Sequence, residues 1–284
     1  MSTTRLLTNT SKLFAATMLL ACGSGVTRIP NGDELDAEDN TAAHAEPPPA
    51  AESNIEVFEA GDGAATVVFE SGLGNDWTAW RPVAEEVAAE ARVFAYSRPG
   101  YGESDETDRP RDAAHIVEDL RGLLSRYGYA PPFVLVGHSF GGTYMELFAK
   151  AHPKEVAGVV LVDPRHRDFT AACEEAALEG CKIPEAILSS LPAVQIAEYE
   201  AFAQSSEEIA AAGSFGSYPV RVLTATSHSF GPDVEKLWET MLGSLAEEAE
   251  DGEQQLFPGA GHGLQIERPH EVAAAILDVV SAAR

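Results

Sequence analysis

From residue 54 onward, short unbroken apolar runs alternate with longer stretches in which apolar residues recur every three or four positions. The runs at 65–70, 92–96, 133–136, 156–162 and 220–224 predict buried strands, and 254–257 predicts a last one. Segments 80–91, 115–127, 143–150 and 270–283 predict helices. Pro82 is tolerated in a first turn, and Ile116, Leu120, Leu123 and Leu124 share one helical face. Strand and helix in turn imply an α/β domain over residues 54–284, a mostly parallel central sheet with helices on both faces.

One interval breaks the rhythm. Residues 165–218 separate two strands by far more than a crossover helix needs. Ala/Glu-rich runs, broken at Pro184, Pro192 and Gly213, predict a helical insertion over the carboxyl edge of the sheet, a cap. Cys173 and Cys181 both lie inside it. One continuous helix would part them by ~12 Å, whereas a disulfide needs Cα atoms within ~7 Å. If they pair, the chain turns between them, and Gly180 is the candidate.

Charge changes the picture of partners. With 45 acidic and 19 basic residues, the net charge is −26. Such a surface repels phosphate backbones and anionic lipid, so nucleic acid is not an expected partner. Solubility alone accounts for the excess. No feature of the chain specifies an oligomeric state.

The first 53 residues follow other rules. Arg5 and Lys12 precede an apolar stretch, 13–21, too short to span a bilayer. A positive start, a short apolar core and small residues describe a secretory signal peptide over 1–21. Leu19-Leu20-Ala21-Cys22 resembles the lipobox of bacterial lipoproteins, which implies a diacylglycerol on Cys22 and a membrane held through that lipid. Residues 22–53 are acidic and proline-rich and predict a disordered tether. The expected location is the bacterial cell envelope.

Chemistry concentrates at Gly137-His138-Ser139-Phe140-Gly141, which follows one predicted strand and precedes a helix, the context of a nucleophile elbow. An acyl-transfer serine needs a base, an acid to orient the base, and donors for the oxyanion. His262, in the loop Gly259-Ala260-Gly261-His262-Gly263 after the last strand, is the expected base, and His166 is its rival. Asp163, directly after 156–162, is the expected acid. Asp233, behind Gly231-Pro232, is the alternative, with helix capping as its other role. The N–H groups of Phe140 and of Leu73, in Ser71-Gly72-Leu73-Gly74-Asn75, are the expected oxyanion donors. No metal-ligand spacing or nucleotide-phosphate loop is present, so no cofactor is expected.

These pieces, with Glu70-Ser71-Gly72-Leu73-Gly74 and Tyr96-Ser97-Arg98-Pro99-Gly100-Tyr101-Gly102-Glu103-Ser104, make the chain resemble the α/β-hydrolase superfamily across residues 55–284. The order Ser139, Asp163, His262 is the superfamily's serine–acid–histidine order. Three positions depart from the common pattern. Ser71-Gly72 replaces His-Gly, Ser97 stands where relatives have Asp, and His228 stands near where many place the triad acid. The resemblance implies hydrolysis of a carboxylic ester or related small-molecule acyl bond through an acyl-enzyme. Epoxide hydrolases and dehalogenases of the superfamily carry aspartate at the elbow. An aminopeptidase or amidase on the same fold would need acidic groups for an amine, with Glu174, Glu175 and Glu179 as candidates. A non-catalytic envelope binding module is the reading from another class.

The lipobox generates a first test. Cys22→Ser releases the protein from membranes or blocks its maturation, read by fractionation. Unchanged membrane association would instead indicate an uncleaved apolar anchor.

Overall fold

The computed structural model describes residues 54–283. The signal peptide, Cys22 and the tether expected at 1–53 lie outside the described residues. Among the described residues no helix is long and apolar enough to cross a membrane.

Seven strands form one sheet: β1 (Val57–Ala60), β2 (Thr66–Glu70), β3 (Arg92–Tyr96), β4 (Phe133–His138), β5 (Val156–Val162), β6 (Pro219–Ala225) and β7 (Asp251–Phe257). Their spatial order is β1-β3-β2-β4-β5-β6-β7. Only β1 pairs antiparallel, with β3; the remaining pairs are parallel. Apolar runs located β2 to β6, and 254–257 located the end of β7; β1, Val57-Phe58-Glu59-Ala60, is a short run broken by Glu59 at the sheet edge and was not predicted.

Helices α1 (Arg81–Val87) and α10 (Pro269–Ala282) cover one face. Val83 and Val87 of α1 and Val272, Ile276 and Val279 of α10 join Val67, Val134 and Val160 in one apolar layer. The other face carries α2 (Ala113–Arg126), α3 (Phe140–Ala151) and α8 (Pro232–Glu247), where Leu120, Leu124, Met145, Phe148 and Leu242 meet Val68, Leu135 and Leu161. All six residues of β4 are buried, because both its faces are covered. Burial of each large aliphatic side chain there contributes roughly 1.5–3 kcal/mol.

The expected helix at 80–91 is shorter, since a 3-10 turn (Trp77–Trp80) precedes α1 and the chain leaves the helix after Val87. The elbow helix α3 is longer than 143–150, because it begins immediately after the serine.

Four helices lie between β5 and β6: α4 (Phe169–Glu175), α5 (Glu185–Leu188), α6 (Ala193–Glu200) and α7 (Phe202–Ala211). Pro184 and Pro192 cap α5 and α6, and Gly213 leaves α7 with φ +95°, so the predicted breaks are where the helices end or begin. Helix α6 lies over the loops that follow β2 and β3. A Cβ on Gly74 would touch Gln195 at 3.5 Å, and one on Gly100 would touch Val194 at 3.1 Å. Cys173 and Cys181 are disulfide-bonded with Cα atoms 5.8 Å apart. The chain turns between them through Ala177 and Gly180, both at positive φ. A short helix α9 (Leu264–Glu267) links the His262 loop to α10.

The disulfide closes a small loop, worth on the order of 2–3 kcal/mol in the chain-entropy picture. Its effect is therefore local. Mild reduction changes KM or substrate preference more than the melting temperature, measured on one reduced sample; a large fall in melting temperature with unchanged KM would contradict this.

Candidate active site

The turn from β4 into α3 takes a single residue. Ser139 sits at φ 53°, ψ −121°, a conformation that L residues rarely adopt and that costs about 1–3 kcal/mol. The neighbours must be glycine for steric reasons. A Cβ on Gly137 would come 2.5 Å from the Gly141 carbonyl, and one on Gly141 would come 2.4 Å from that of Glu70. A Cβ on Gly142 would strike Pro164 at 2.6 Å. The three glycines thus let β4, β2 and the segment after β5 close around the serine.

Two neighbours complete a line of hydrogen bonds. His262 Nε2 is 2.9 Å from Ser139 Oγ, and His262 Nδ1 is 2.6 Å from Asp163 Oδ2. An ionised carboxylate only accepts, so Nδ1 carries the proton and donates, which leaves Nε2 as acceptor for the serine hydroxyl. The imidazole is partly open to solvent, whereas Asp163 is fully buried. Asp163 Oδ1 accepts from the Ala225 N–H and from Trp238 Nε1, each at 3.0 Å. Burial opposes the Asp163 charge, but hydrogen bonds from His228 and His262 outweigh it and hold the carboxyl at about 2. His138 faces the other way, and its Nε2–H donates to the His262 carbonyl at 2.8 Å. Burial pushes its pKa down to about 3, so this brace under the His262 loop stays neutral.

The loop after β2 presses against the serine, since a Cβ on Gly72 would lie 3.1 Å from Ser139 Cβ. Arg98 fixes that loop by donating to the carbonyls of Ser71 at 2.5 Å and Gly72 at 3.1 Å. The Gly72–Leu73 peptide is planar and trans, so an anchored carbonyl turns the Leu73 N–H to the opposite side. The Phe140 N–H belongs to the first turn of α3, the positive end of that helix. Arg98 is itself held by Glu70 and by Glu198 of α6, which also binds Arg111 and accepts from Tyr101 at 3.0 Å. Where relatives carry Asp at position 97, Ser97 donates to Glu56 at 2.7 Å, so a carboxylate reaches this place from another segment.

Other expected residues lie elsewhere. Asp233 is exposed in the first turn of α8, where it meets the positive helix end rather than an imidazole. His166 accepts the Asp168 N–H at 3.1 Å, and burial lowers its pKa to about 4. Glu174, Glu175 and Glu179 are exposed, and Glu174 pairs with Lys182.

The element that sequence reading missed is a second imidazole on the acid. His228 Nε2 lies 2.6 Å from Asp163 Oδ2, the oxygen that His262 also uses. Its Nδ1 lies 2.7 Å from Glu235 Oε2, while Glu235 Oε1 accepts the His228 main-chain N–H at 2.6 Å. Two ionised carboxylates face both ring nitrogens, so both nitrogens must donate and the ring is an imidazolium. Burial works against that charge, but Asp163 and Glu235 overcome it and raise the His228 pKa. His228 was visible in sequence only as an oddity; its seven-residue spacing to Glu235 crosses a loop and a helix start, which periodicity does not reveal.

Among the described residues, Asp163, His228 and His262 are the one His/acid grouping compact enough to hold a metal ion, with ligand-type atoms within 4.8 Å. Imidazole donors on Asp163 and the serine on His262 account for those atoms by hydrogen bonding.

A strained serine on a strand–helix turn, beside a histidine and a buried aspartate from later loops, defines the architecture of an α/β hydrolase. The profile of the Alpha/beta hydrolase family matches residues 67–275, and the chain belongs to that family. The uncharacterized protein YqjL of Bacillus subtilis is 27% identical over 226 residues, covering 78% of this chain and 86% of that one. A thermophilic esterase from Thermogutta terrifontis is similar in structure, with TM-score 0.58 and 20% identity over 81% of this chain and 94% of its own. The epoxide hydrolase CorEH is similar too, with TM-score 0.60 and 20% identity over 82% of this chain and 96% of its own. At these identities the solved structures speak to the fold.

The His228 geometry makes two measurable demands. Nitrogen NMR at neutral pH shows both ring nitrogens of His228 protonated; one bare nitrogen would break the assignment. Because its folded pKa is raised, its stabilisation is full below the unfolded value near ~6.5 and fades as pH rises through the folded value. The melting-temperature gap between wild type and His228→Gln is therefore widest in mild acid and narrows toward alkaline pH.

Proposed function

We propose that the protein is a serine hydrolase that cleaves a carboxylic ester or related acyl bond through an acyl-enzyme. The observation that carries the reading is the unbroken series Ser139 Oγ, His262, Asp163, with each donor meeting an acceptor. Ser139 attacks the acyl carbonyl as His262 Nε2 takes its proton. Asp163 keeps the imidazole in the tautomer that can accept and stabilises the imidazolium that forms. The N–H groups of Phe140 and Leu73 receive the oxyanion, the second aimed by Arg98 through the Gly72 carbonyl. His262 returns the proton to the leaving group, then activates water to release the acyl product.

An esterase and epoxide hydrolases stand among the structural relatives. Epoxide opening through an ester intermediate calls for a carboxylate nucleophile, and the elbow here carries a hydroxyl, which favours acyl transfer. The amidase alternative finds less support. Glu70 and Glu198, the buried carboxylates beside the oxyanion loop, are taken up by Arg98 and Arg111 and are not free for an amine. By the same proposal the enzyme works in the bacterial envelope, held by lipid on Cys22.

A fluorophosphonate labels the wild type, and Ser139→Ala abolishes labelling; equal labelling of the two proteins would end the serine assignment. With a nitrophenyl ester, Asp163→Asn lowers kcat by about 10⁴-fold, the scale seen when a triad acid is neutralised. Asp233→Asn leaves kcat near wild type. The reverse ranking would move the acid to α8.

A further inference from the structure

Arg165 stands apart from the other buried guanidinium groups. Arg98 meets Glu70 and Glu198, Arg111 meets Glu198, and Arg167 meets Glu146, Asp168 and Glu248. Among the described residues Arg165 meets no carboxylate, in a chain with 45 acidic residues and 19 basic ones. Burial lowers its pKa to about 10, which leaves it charged at neutral pH. Its Nη2 donates to Thr170 Oγ1 at 2.5 Å and reaches the Cys181 carbonyl at 3.4 Å. Its buried Nε has no acceptor among the described residues. The guanidinium carbon lies 4.9 Å from the centre of the Phe169 ring and 5.4 Å from that of Phe202, an apolar setting that strengthens any ionic contact made there.

Its position ties it to the nucleophile. The Arg165 N–H donates to the Ser139 carbonyl at 3.0 Å, and its own carbonyl accepts from Thr143 Oγ1 at 2.9 Å. Phe202, against which the guanidinium lies, packs 4.9 Å from the ring of Phe140, the residue directly after the serine. The side chain therefore extends from beside the elbow into the aromatic underside of the cap, and it is not fully closed off from solvent.

A buried cation without a counter-ion is costly unless a partner arrives. Resting on the acyl-hydrolase reading, we propose that Arg165 is a binding residue for a carboxylate at the far end of the acyl group. The substrates are then monoesters of short dicarboxylic acids, or acyl groups bearing an equivalent anion. The ester carbonyl lies at Ser139, the acyl chain passes Phe140 and Phe202, and the terminal carboxylate meets the guanidinium. An overall charge of −26 repels such a substrate at long range, so recognition falls to this local, shielded cation.

The test compares nitrophenyl hemisuccinate, hemiglutarate and hemiadipate with the neutral butyrate, pentanoate and hexanoate of equal chain length. Wild type prefers the anionic member of at least one pair in kcat/KM. Arg165→Met lowers that anionic-to-neutral ratio by about 10- to 100-fold, the worth of a hydrogen bond to a charged group, chiefly through KM. Arg165→Lys keeps part of the preference, having the charge without the planar fork. Absence of any anionic preference in wild type would overturn the proposal. So would an equal loss on both series in Arg165→Met, which is the result expected of a strut between cap and core. Calorimetry with glutarate and adipate provides an arm independent of hydrolysis, in which wild type binds and Arg165→Met does not. Dicarboxylate binding lost with Arg165, together with failure of fluorophosphonate labelling, would keep the anion site and remove the acyl-hydrolase reading. Labelling of Ser139 with no dicarboxylate binding would do the opposite.

Discussion

Asp163 places a carboxylate where water does not reach, and its charge survives only because four donors converge on it. The Ala225 N–H comes from β6, Trp238 Nε1 from α8, His262 Nδ1 from the loop after β7, and His228 Nε2 from the loop after β6. Removing the donors would leave a buried anion whose penalty is several kcal/mol. The same four bonds draw three separate connections onto the carboxyl end of the sheet. The position of the base relative to Ser139 is thus a consequence of satisfying one charge.

The second imidazole adds a feature beyond satisfaction. With His228 as an imidazolium between Asp163 and Glu235, a positive charge stands on the far side of the acid from His262. It shares Asp163 Oδ2 with the base and competes for that oxygen. The carboxylate is therefore a weaker proton acceptor than an aspartate with one partner, in keeping with its lowered pKa. Trp238, which donates to the opposite oxygen, also lies edge-on to the His262 ring with centroids 6.1 Å apart, so packing and hydrogen bonding restrain the same imidazole.

A buried ionic cluster joins cap to core. Arg98 is bound at once by Glu70 at the end of β2, by the Ser71 and Gly72 carbonyls, and by Glu198 of α6. Replacing any one partner would leave the others uncompensated, so cap placement and oxyanion-loop geometry are set together. This coupling makes the cap part of the site's geometry as well as its cover. Arg165, whose N–H donates to the Ser139 carbonyl, lacks such a counter-ion among the described residues, so Arg98 marks a fully paired side and Arg165 the side of the proposed anion site.

The parts of the molecule whose signal is local were legible in the chain. The apolar runs marked β2 to β6 because both faces of the parallel sheet are covered there and the period collapses to a continuous run, whereas mostly exposed β7 showed only its last residues. Gly137, Gly141 and Gly142 announced the elbow because only glycine tolerates contacts of that closeness, a requirement written into adjacent positions. The prolines at 184 and 192 marked cap helix boundaries because proline has no N–H to donate within a helix and is tolerated only at its start. Choosing between Asp163 and Asp233 needed the fold. Each follows a strand, and only the three-dimensional crossing of β5, β6 and the His262 loop brings one carboxylate to 2.6 Å while leaving the other on the surface. The His228–Glu235 pair, the Arg98–Glu198 bond across 100 residues and the neutral surroundings of Arg165 among the described residues follow likewise from the tertiary structure. Charged groups pair through space, and chain spacing carries no record of which buried charge finds a partner and which does not.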